Sequence, residues 1–514
     1  MGQIEESFPT IENLATRFHE GKLAMPEIQR DQVWTPRQVQ ELIDSLYRGY
    51  PVGTMLFWNT DDTVATREHS IDASQTSVFI LDGQQRLTAL SGLRFENAPD
   101  IRFNVESDDF AVATKSTKDD PLWVSVSEIL ESGVISTAKK HGFLKRDDDE
   151  VVLERLERVQ KIKDVKVTVH TVRDFDYEEV AEIFIRANTT GRPLGSADIA
   201  IARIALGVPG LVSDDLSEFR ETLDSVGWDI PMPLIMRCIA AIATGRSELK
   251  GIDSLSSGKI TEAWNLAKPA IETFLNCLEN DLGIESWSWI SSSNALVVPV
   301  SYLAGQESGS FDKSGLLRWF LLSLVWQRYS AGVEGRLNQD LQALDEPDPF
   351  KPLEKRLRQV AGGRLDLKGS DLEKTGRGRF LLMAYLACRG RKATDWFSET
   401  TLSSTNLGSQ NRLEEHHIFP RDLVKDDHES EQVDELANIA FLSQRANRQI
   451  RKSLPAKYLP KIDEEKLAQQ CVPTDPDLWE LKSFPEFLEK RRTALSQEIN
   501  RVLKDPIGTP TGSA

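Results

Sequence analysis

The chain has 514 residues, of which 28% are charged and 40% hydrophobic, and this composition is typical of a globular protein of two to four domains. Its formal net charge of −18 argues against indiscriminate attraction to nucleic acid. Four scattered cysteines exclude a disulfide framework or a cysteine-ligated zinc. The sequence shows no signal peptide and no apolar run of bilayer length. Together with the unpaired cysteines, this predicts a cytoplasmic protein without membrane contact.

The first hundred residues predict a compact α+β unit. Residues 11–19 have the pattern of a short amphipathic helix. Thr35 and Pro36 are a typical N-cap and first helical residue, and an apolar stripe follows them to Tyr47. A strand over 51–58 and a polar loop over 61–77 complete this part.

A strand, a glycine turn and a helix start follow one another at residues 78–94. Four apolar residues precede Asp82-Gly83, and the helix is predicted from Gln84 to Arg94. Free N–H groups at such a helix start, together with the guanidinium of Arg86, would bind phosphate. The spacing of Asp82 and Gln85 equally fits a capping box, so the residues alone leave both interpretations open.

Regular elements continue to about residue 405. Strands are predicted at 101–105, 122–126 and 165–172, and helices at 147–163, 177–187 and from Ser196 to Leu206. From residue 210 the pattern is one of long helices without catalytic spacing, at 231–245, 258–280, 294–305, 314–328 and 379–388. The predicted fold class is therefore α+β and multidomain, with domains at 1–209, 210–409 and 410–504 and a frayed tail at 505–514.

The most specific pattern lies in the C-terminal domain, where Glu415-His416-His417 is followed by Asn438 and Asn447. A ββα-metal (HNH) nuclease needs a histidine base, a pair of metal ligands and an asparagine that holds the catalytic loop. His417 is the candidate base, His416 and Asn447 are the candidate ligands, and Asn438 is the candidate loop-fixing residue. Paired histidines without this spacing would be interpreted as an ordinary surface or core pair.

Two further features adjoin this pattern. Where many HNH nucleases carry a zinc-binding C-x-x-C, this chain has Ser443 and Ala446, so no structural zinc is expected. From Asn438 to Lys461 there are six lysines and arginines and no acidic residue. Such a run is often only a solvated helix face, but beside this motif it indicates contact with DNA phosphates.

The chain resembles the GmrSD-type restriction endonucleases, which are modification-dependent (type IV) systems, and the SspE-like phage-defence nucleases. The resemblance lies in the motifs Ile28-Gln-Arg…Val33-Trp34, Tyr50-Pro51-Val-Gly53, Asp82-Gly-Gln-Gln-Arg86, Phe184-Ile-Arg-Ala-Asn188-Thr-Thr-Gly191 and Glu415-His-His417-Ile-Phe-Pro420 with Asn438 and Asn447. They cover about residues 8–206 and 410–460. Many relatives carry Glu-His-Ile-x-Pro where this chain has His416-His417, so Glu415 could share metal binding or only support it.

The resemblance implies a ParB/sulfiredoxin-like N-terminal domain that binds and hydrolyses a nucleoside triphosphate, GTP-like in type. It also implies cutting of modified phage DNA by the HNH domain with Mg²⁺ or Mn²⁺. Carried over by motif, the nucleotide site comprises Asp82, Gly83, Gln84, Gln85 and Arg86, with Gln29, Arg30, Arg186 and Asn188 as neighbours. Trp34 could stack on a base there, although seating the following helix on the sheet is the favoured role.

The leading hypothesis is an anti-phage, modification-dependent DNA endonuclease whose HNH chemistry is regulated by N-terminal nucleotide hydrolysis. One alternative is an HNH nuclease that works without nucleotide and has a DNA-binding N-terminal domain. The other is a non-catalytic protein that binds DNA or a partner. A monomer with one metal site would nick one strand, so double-strand cutting would require a homo-oligomer or two visits.

Overall fold

The computed structural model describes residues 2–25, 34–60, 77–95, 99–144, 149–175, 179–180, 183, 200–201, 204, 208, 210–306, 310–373 and 377–508. The chain divides into two compact units, Met1–Glu218 and Phe219–Ala514. The second unit holds both the helical region and the region of the HNH pattern, and the boundaries expected at 209 and 409 stay predictions.

The first unit contains two β-sheets flanked by helices. Its strands are β1 (Gln3–Ser7), β2 (Met55–Asn59), β3 (Val78–Asp82), β4 (Ile101–Asn104), β5 (Asp109–Val112), β6 (Trp123–Ser125) and β7 (Val169–Arg173). Its helices are α1 (Ile11–His19), α2 (Pro36–Tyr47), α3 (Gln84–Phe95), α4 (Lys115–Asp119), α5 (Val126–Ser132), α6 (Val134–Lys140) and α7 (Asp149–Gln160), with a 3₁₀ turn at Lys161–Asp164.

The larger sheet has the strand order β1-β7-β2-β3. Its two central strands, β7 and β2, are parallel, and the edge strands pair antiparallel with them. Phe57 and Ile80 project from one face into a core shared with α1, α2 and α3. Trp58 and Phe79 on the other face are fully buried as well. Burial of both faces explains the near-continuous apolar sequence of β2 and β3.

Helix starts in this unit follow the predicted capping chemistry. Thr35 caps α2 in a reciprocal capping box with Gln38, and Pro36 occupies the first turn. Thr10 caps α1 by accepting a hydrogen bond from the N–H of Asn13. These local signals explain why α1 and α2 lie where the sequence predicts them.

Several predicted boundaries in this unit need correction. The strand predicted at 51–58 is Met55–Asn59, and the one predicted at 165–172 is Val169–Arg173. Strands β1 and β5 were not predicted. β1 is a polar, exposed edge strand without apolar alternation, so its sequence gives no local signal. The loop at 61–77 and the helix at 177–187 lie largely outside the described residues.

The second unit is mainly helical. Its helices are α8 (Ser217–Ser225, which begins at the unit boundary), α9 (Met232–Thr244), α10 (Ser257–Asn276), α11 (Val297–Ala304), α12 (Lys313–Val325), α13 (Val333–Gln342), α14 (Phe350–Val360), α15 (Gly369–Glu373), α16 (Leu381–Gly390), α17 (Arg421–Val424), α18 (Ser430–Val433), α19 (Gln444–Ile450), α20 (Pro455–Tyr458), α21 (Glu464–Gln469) and α22 (Phe484–Lys504).

Short 3₁₀ and π segments join these helices. The 3₁₀ turns are Leu249–Ser254, Trp287–Trp289, Ser293–Leu296, Ala343–Asp345, Arg377–Arg379, Leu436–Asn438, Leu459–Lys461, Pro476–Trp479 and Leu481–Ser483, and the π turns are Leu211–Leu216 and Cys277–Asp281. The four cysteines are buried free thiols. None of the helices in the described ranges is long and apolar enough to cross a membrane.

The C-terminal part of the second unit holds a two-stranded antiparallel sheet. It consists of β8 (Leu413–His417) and β9 (Ile439–Ser443), and α19 follows β9 directly. An apolar core forms beneath it from residues such as Ile418, Phe419 and Leu442. The long helix α22 contributes Phe484 and Phe487 to the same core. This β–loop–β–α succession presents the residues of the HNH pattern.

Candidate functional site

Strand pairing aligns the two histidines with β9, the strand that follows the loop over 418–438. His416 lies opposite Ala440, and His417 lies opposite Ile439 at the end of the β8–β9 ladder. Ser443 ends β9 and caps α19 by accepting a hydrogen bond from the N–H of Ala446. The position at which many HNH nucleases carry the first zinc-binding cysteine is therefore a helix cap here.

Asn438 is the last residue of the loop between the two strands and is fully buried. Its Oδ1 accepts a hydrogen bond from the N–H of Phe419 at 2.8 Å. Its Nδ2 donates to the carbonyls of Phe419 at 3.1 Å and Val433 at 2.9 Å. One side chain thus ties the start of the loop to its end, which is the contact that a loop-fixing residue would make.

His417 lies beside an acidic partner. Its Nε2 is 2.9 Å from Oδ1 of Asp434, and Arg421 lies 3.6 Å from the second oxygen of the same carboxylate. An ionised carboxylate can only accept, so Nε2 carries a hydrogen, and in the neutral imidazole the lone pair is then on Nδ1. About a quarter of the His417 side chain is exposed. The geometry leaves an oriented imidazole whose basic nitrogen can accept a proton.

His416 is buried and lies against three side chains. Nδ1 of His416 is 2.9 Å from Oδ1 of Asn447, and Nε2 is 3.3 Å from the hydroxyl of Tyr458. The edge of the Trp396 ring packs on the imidazole at 6.0 Å between centroids. Burial lowers the pKa of His416 to about 4, so the ring is neutral at pH 7. The two candidate ligands are thus brought together by β8 and α19.

Glu414, rather than Glu415, lies beside this pair. Glu414 accepts a hydrogen bond from Nδ2 of Asn447 at 2.7 Å, whereas Glu415 is exposed and one residue out of phase along β8. The suggestion that Glu415 shares the site with His416 is therefore replaced by contact with Glu414. Across the described ranges, no group of three or more His, Cys, Asp and Glu side chains is arranged to hold a metal.

Three buried polar residues support the motif from distant parts of the chain. Arg491 in α22 donates to the carbonyls of Ala437 and Gln470, the side chain of Gln470 pairs with both backbone groups of Phe441, and Asp395 accepts from the N–H of Ser443. Sequence reasoning missed them, along with Asp434 and Tyr458. Only Asp434 had any local signal, as a member of the acidic run before Asn438.

An exposed basic surface borders the candidate site. The six basic residues of the run are all exposed, namely Arg445, Arg448, Arg451, Lys452, Lys457 and Lys461. Lys452 is paired with Asp422 across the loop. Their exposure fits a surface that tracks a phosphate backbone.

The predicted nucleotide stretch in the first unit has the expected local geometry. β3 ends at Asp82, Gly83 adopts a positive φ of 95°, and the carbonyl of Gly83 accepts the first helical hydrogen bond of α3 from Leu87. A Cβ at Gly83 would lie 2.7 Å from Met55, so glycine is required there. The strand, turn and helix start are arranged as predicted.

The polar side chains of this stretch contact protein groups. Arg86 donates to the carbonyls of Val52 and Thr54, each at 2.7 Å, and to Asp82 at 3.0 Å. Gln85 accepts from the N–H of Trp34 at 2.9 Å. The capping-box contact between Asp82 and Gln85 is replaced by these bonds. Trp34 is half-buried against the core of the first unit, as its helix-seating role requires.

The remaining predicted nucleotide neighbours cannot be located. Gln29, Arg30, Arg186 and Asn188 all lie outside the described residues. Of the predicted nucleotide site, only Asp82, Gly83, Gln84, Gln85 and Arg86 are placed, and they come from one continuous stretch.

Comparison with known proteins identifies two similarities. The family described as GmrSD restriction endonuclease, N-terminal domain, matches residues 11–205. An uncharacterized protein of Methanocaldococcus jannaschii, MJ0686, is 21% identical over 528 residues, which cover 88% of this chain and 86% of that protein. Over residues 11–205 the chain is therefore similar to the N-terminal domain of the GmrSD restriction endonucleases.

Proposed function

We propose that this protein is an HNH-type, metal-dependent endonuclease that cuts modified phage DNA, with a ParB/sulfiredoxin-like N-terminal domain that regulates cutting through a bound nucleoside triphosphate. The observation that carries the nuclease proposal is the convergence of His416, His417, Asn438 and Asn447 on a β–loop–β–α scaffold. The two histidines lie on β8, Asn438 lies directly before β9 and Asn447 lies in α19, so separate elements bring these residues into one region.

In this proposal His417 is the general base. Asp434 holds the Nε2–H tautomer, so Nδ1 takes a proton from the water that attacks the scissile phosphorus. Asn438 keeps the loop from Phe419 to Val433 in shape, so that His417 and Asp434 stay in register. A positioned base of this kind contributes about 10²–10⁴ in rate.

His416 and Asn447 would hold the divalent cation. Their donor atoms are 2.9 Å apart, so both could contact one cation. A neutral imidazole and an amide oxygen suit Mn²⁺ or Mg²⁺. When bound, the ion stabilises negative charge on the phosphate and the leaving oxygen. The residues present fit such an ion.

Nucleotide regulation rests on the first unit. The start of α3 has free backbone N–H groups and a positive dipole end, with the half-buried Gln84 as its first residue. The match to the GmrSD N-terminal domain supports assigning the regulatory role to this part of the chain. Hydrolysis could then switch a conformation that opens or closes the nuclease site.

One observation favours the nucleotide-independent alternative. The guanidinium of Arg86 is engaged by two main-chain carbonyls and one carboxylate, and its side chain is only 14% exposed. An arginine in this arrangement stabilises the turn before β2 without any ligand. A nuclease with a DNA-binding N-terminal domain would be expected to cut with metal alone.

A plasmid-nicking assay tests the nuclease proposal. Supercoiled DNA, unmodified or carrying sugar-decorated cytosine or phosphorothioate, is incubated with Mn²⁺ or Mg²⁺ and the wild type, His417→Ala or His428→Ala. His428 is the control because it lies in the same unit and its ring packs on Phe484. We expect nicking of modified DNA to fall at least about 10²-fold in His417→Ala only. Equal nicking by all three proteins would refute the assignment.

The nucleotide arm of the assay adds GTP and two variants at the start of α3. Gln84→Ala alters the predicted site, whereas Thr88→Ala changes an exposed position one turn later. We expect the GTP response to be lost in Gln84→Ala and kept in Thr88→Ala. Cutting that ignores GTP in the wild type would remove the regulatory part and leave the nuclease part intact.

A further inference from the structure

The contact between the two proposed ligands is unusual in its hydrogen-bond chemistry. Nδ1 of His416 and Oδ1 of Asn447 lie 2.9 Å apart, which is the distance of a hydrogen bond. A hydrogen bond needs a donor. Nδ1 of His416 would be the donor in the other tautomer of the ring, and a flip of the Asn447 amide would place its NH₂ group opposite Nδ1. The neighbouring residues decide which atoms face each other.

Glu414 fixes the orientation of the Asn447 amide. Its Oε2 lies 2.7 Å from Nδ2 of Asn447, and its Oε1 accepts from Nε2 of Gln444 at 2.9 Å. An ionised carboxylate has no proton to donate, so the amide must turn its NH₂ group toward Glu414. The amide oxygen of Asn447 therefore faces His416.

Tyr458 fixes the tautomer of His416. The Tyr458 hydroxyl donates its single hydrogen to the carbonyl of Ile418 at 2.8 Å. Toward Nε2 of His416, at 3.3 Å, the hydroxyl can then only accept, so Nε2 carries the hydrogen. In a neutral ring this leaves a lone pair on Nδ1, facing the amide oxygen.

The two atoms that face each other are therefore Nδ1 of His416 and Oδ1 of Asn447, at a residue that is only 3% exposed. In the neutral ring both atoms present lone pairs, and a cation is the species that they would jointly attract.

We propose that Tyr458 and Glu414 are positioning residues that preset the cation site, Tyr458 by fixing the His416 tautomer and Glu414 by aiming the Asn447 oxygen. This inference rests on the proposed metal-dependent nuclease and adds to it two residues that touch neither the ion nor DNA. Both act through hydrogen bonds to the ligands, and such outer contacts change metal affinity or activity by about 10–100-fold.

The first test measures the tautomer without metal. Protein labelled with ¹⁵N-histidine is examined by long-range ¹⁵N–¹H NMR at pH 7, and the His416 signals are assigned by their loss in His416→Ala. We expect the Nε2–H form in the wild type and a shift toward the Nδ1–H form in Tyr458→Phe, where Asn447 becomes the better acceptor. An imidazolium in the wild type, or an unchanged tautomer in Tyr458→Phe, would overturn the proposal.

Tyr302→Phe is the matched control for loss of a tyrosine hydroxyl. Tyr302 is also buried in the second unit, and its hydroxyl accepts from the N–H of Asp312. A thermal melt of both variants reports any loss of stability. A merely structural role of Tyr458 would lower the melting temperature without moving the His416 tautomer, and that outcome would contradict positioning.

The second test measures Mn²⁺ binding by calorimetry. We expect Tyr458→Phe and Glu414→Ala to weaken binding about 10–100-fold, with Tyr302→Phe unchanged. Glu414→Gln should retain most of the affinity, because a glutamine oxygen can still accept from Asn447. Equal losses in Glu414→Gln and Glu414→Ala would show that Glu414 acts through its charge, against the proposal.

The two tests separate this inference from the proposed function. A wild type that binds no Mn²⁺, or an affinity that His416→Ala leaves unaltered, would refute the metal site and the function built on it. The tautomer experiment contains no metal, so it reports on Tyr458 alone.

Discussion

The two candidate sites of this protein use their polar residues differently. In the second unit, side chains from β8, the following loop, β9 and α19 converge, and Asn438 joins residues 19 and 5 positions away. In the first unit, Arg86 bonds to Asp82, four residues earlier, and to the carbonyls of the turn before β2. The first arrangement assembles a site from separate elements, whereas the second is explained by the stability of the turn.

The difference shows how strongly a sequence motif supports a functional site. A motif of adjacent residues always has a local structural explanation available, such as a cap or a turn. A motif spread over separate elements has no such local explanation. When its residues come together in the folded chain, a functional site is the better explanation. On this argument the nuclease site has stronger support than the nucleotide site.

The largest effect is expected from Asn438→Ala. Three buried main-chain groups, at Phe419 and Val433, would lose their partner, each at about 1–3 kcal/mol, so we expect the free energy of unfolding to fall by about 3–9 kcal/mol. Urea unfolding measures it. The control is Asn411→Ala. The exposed Asn411 side chain donates to the carbonyl of Leu407, and its loss should change the free energy of unfolding by less than about 0.5 kcal/mol. Similar losses in both variants would contradict a special role for Asn438.

How much could be predicted follows from where each signal lies. Helices α1, α2 and α3 were predictable because caps and apolar periodicity are local. Spacing selected His416, His417, Asn438 and Asn447, whose roles stay predictions. Edge strand β1 carries no apolar alternation, so it was not. The residues that complete the candidate site come from tertiary packing and leave no local signal; they are Asp395, Tyr458, Gln470 and Arg491.

A pH effect is expected from Glu435, which lies three residues before Asn438. Burial raises the pKa of Glu435 to about 7, against an ordinary 4.5, despite a 3.1 Å contact with Arg492 and the nearby Arg491; Glu373 adds to the rise. Its Oε1 is buried, and no described group hydrogen-bonds to it. The folded state therefore binds more protons between these values, so its stability falls as the pH rises through this window.

Urea unfolding at pH 4.5 and 8 measures this contribution. Between pH 4.5 and pH 8 we expect the free energy of unfolding of the wild type to fall by up to about 3 kcal/mol more than that of Glu435→Gln, because glutamine cannot ionise. Parallel pH curves for the two proteins would show that Glu435 is ionised throughout. The result tests whether the loop around Asn438 is as tightly enclosed as its contacts indicate, and so whether the candidate site of the second unit is as well ordered as its hydrogen bonds suggest.

Asp434→Asn should slow nicking by about 10–100-fold, because the amide no longer enforces the Nε2–H tautomer of His417. Mn²⁺ affinity and unfolding should stay unchanged, since Asp434 contacts neither candidate ligand and is one-third exposed. Asp422→Asn is the control, because it removes a carboxylate from the same loop that pairs with Lys452 and Lys425 instead. A full nicking rate in Asp434→Asn would mean that His417 needs no orienting partner.

The smallest expected effect tests the turn that Arg86 holds. Gly53 and Gly49 both have positive φ, so alanine is strained at each by about 1 kcal/mol. At Gly53 the added Cβ would also lie 2.8 Å from Nη1 of Arg86, whereas at Gly49 it would meet nothing within 4 Å. If Arg86 is fixed by its carbonyl partners, Gly53→Ala should cost about 1 kcal/mol more than Gly49→Ala, because a hydrogen bond must break. Equal costs in urea unfolding would show that Arg86 swings away freely. The first unit would then have a mobile cation beside the start of α3, and the contrast with the nuclease site would narrow.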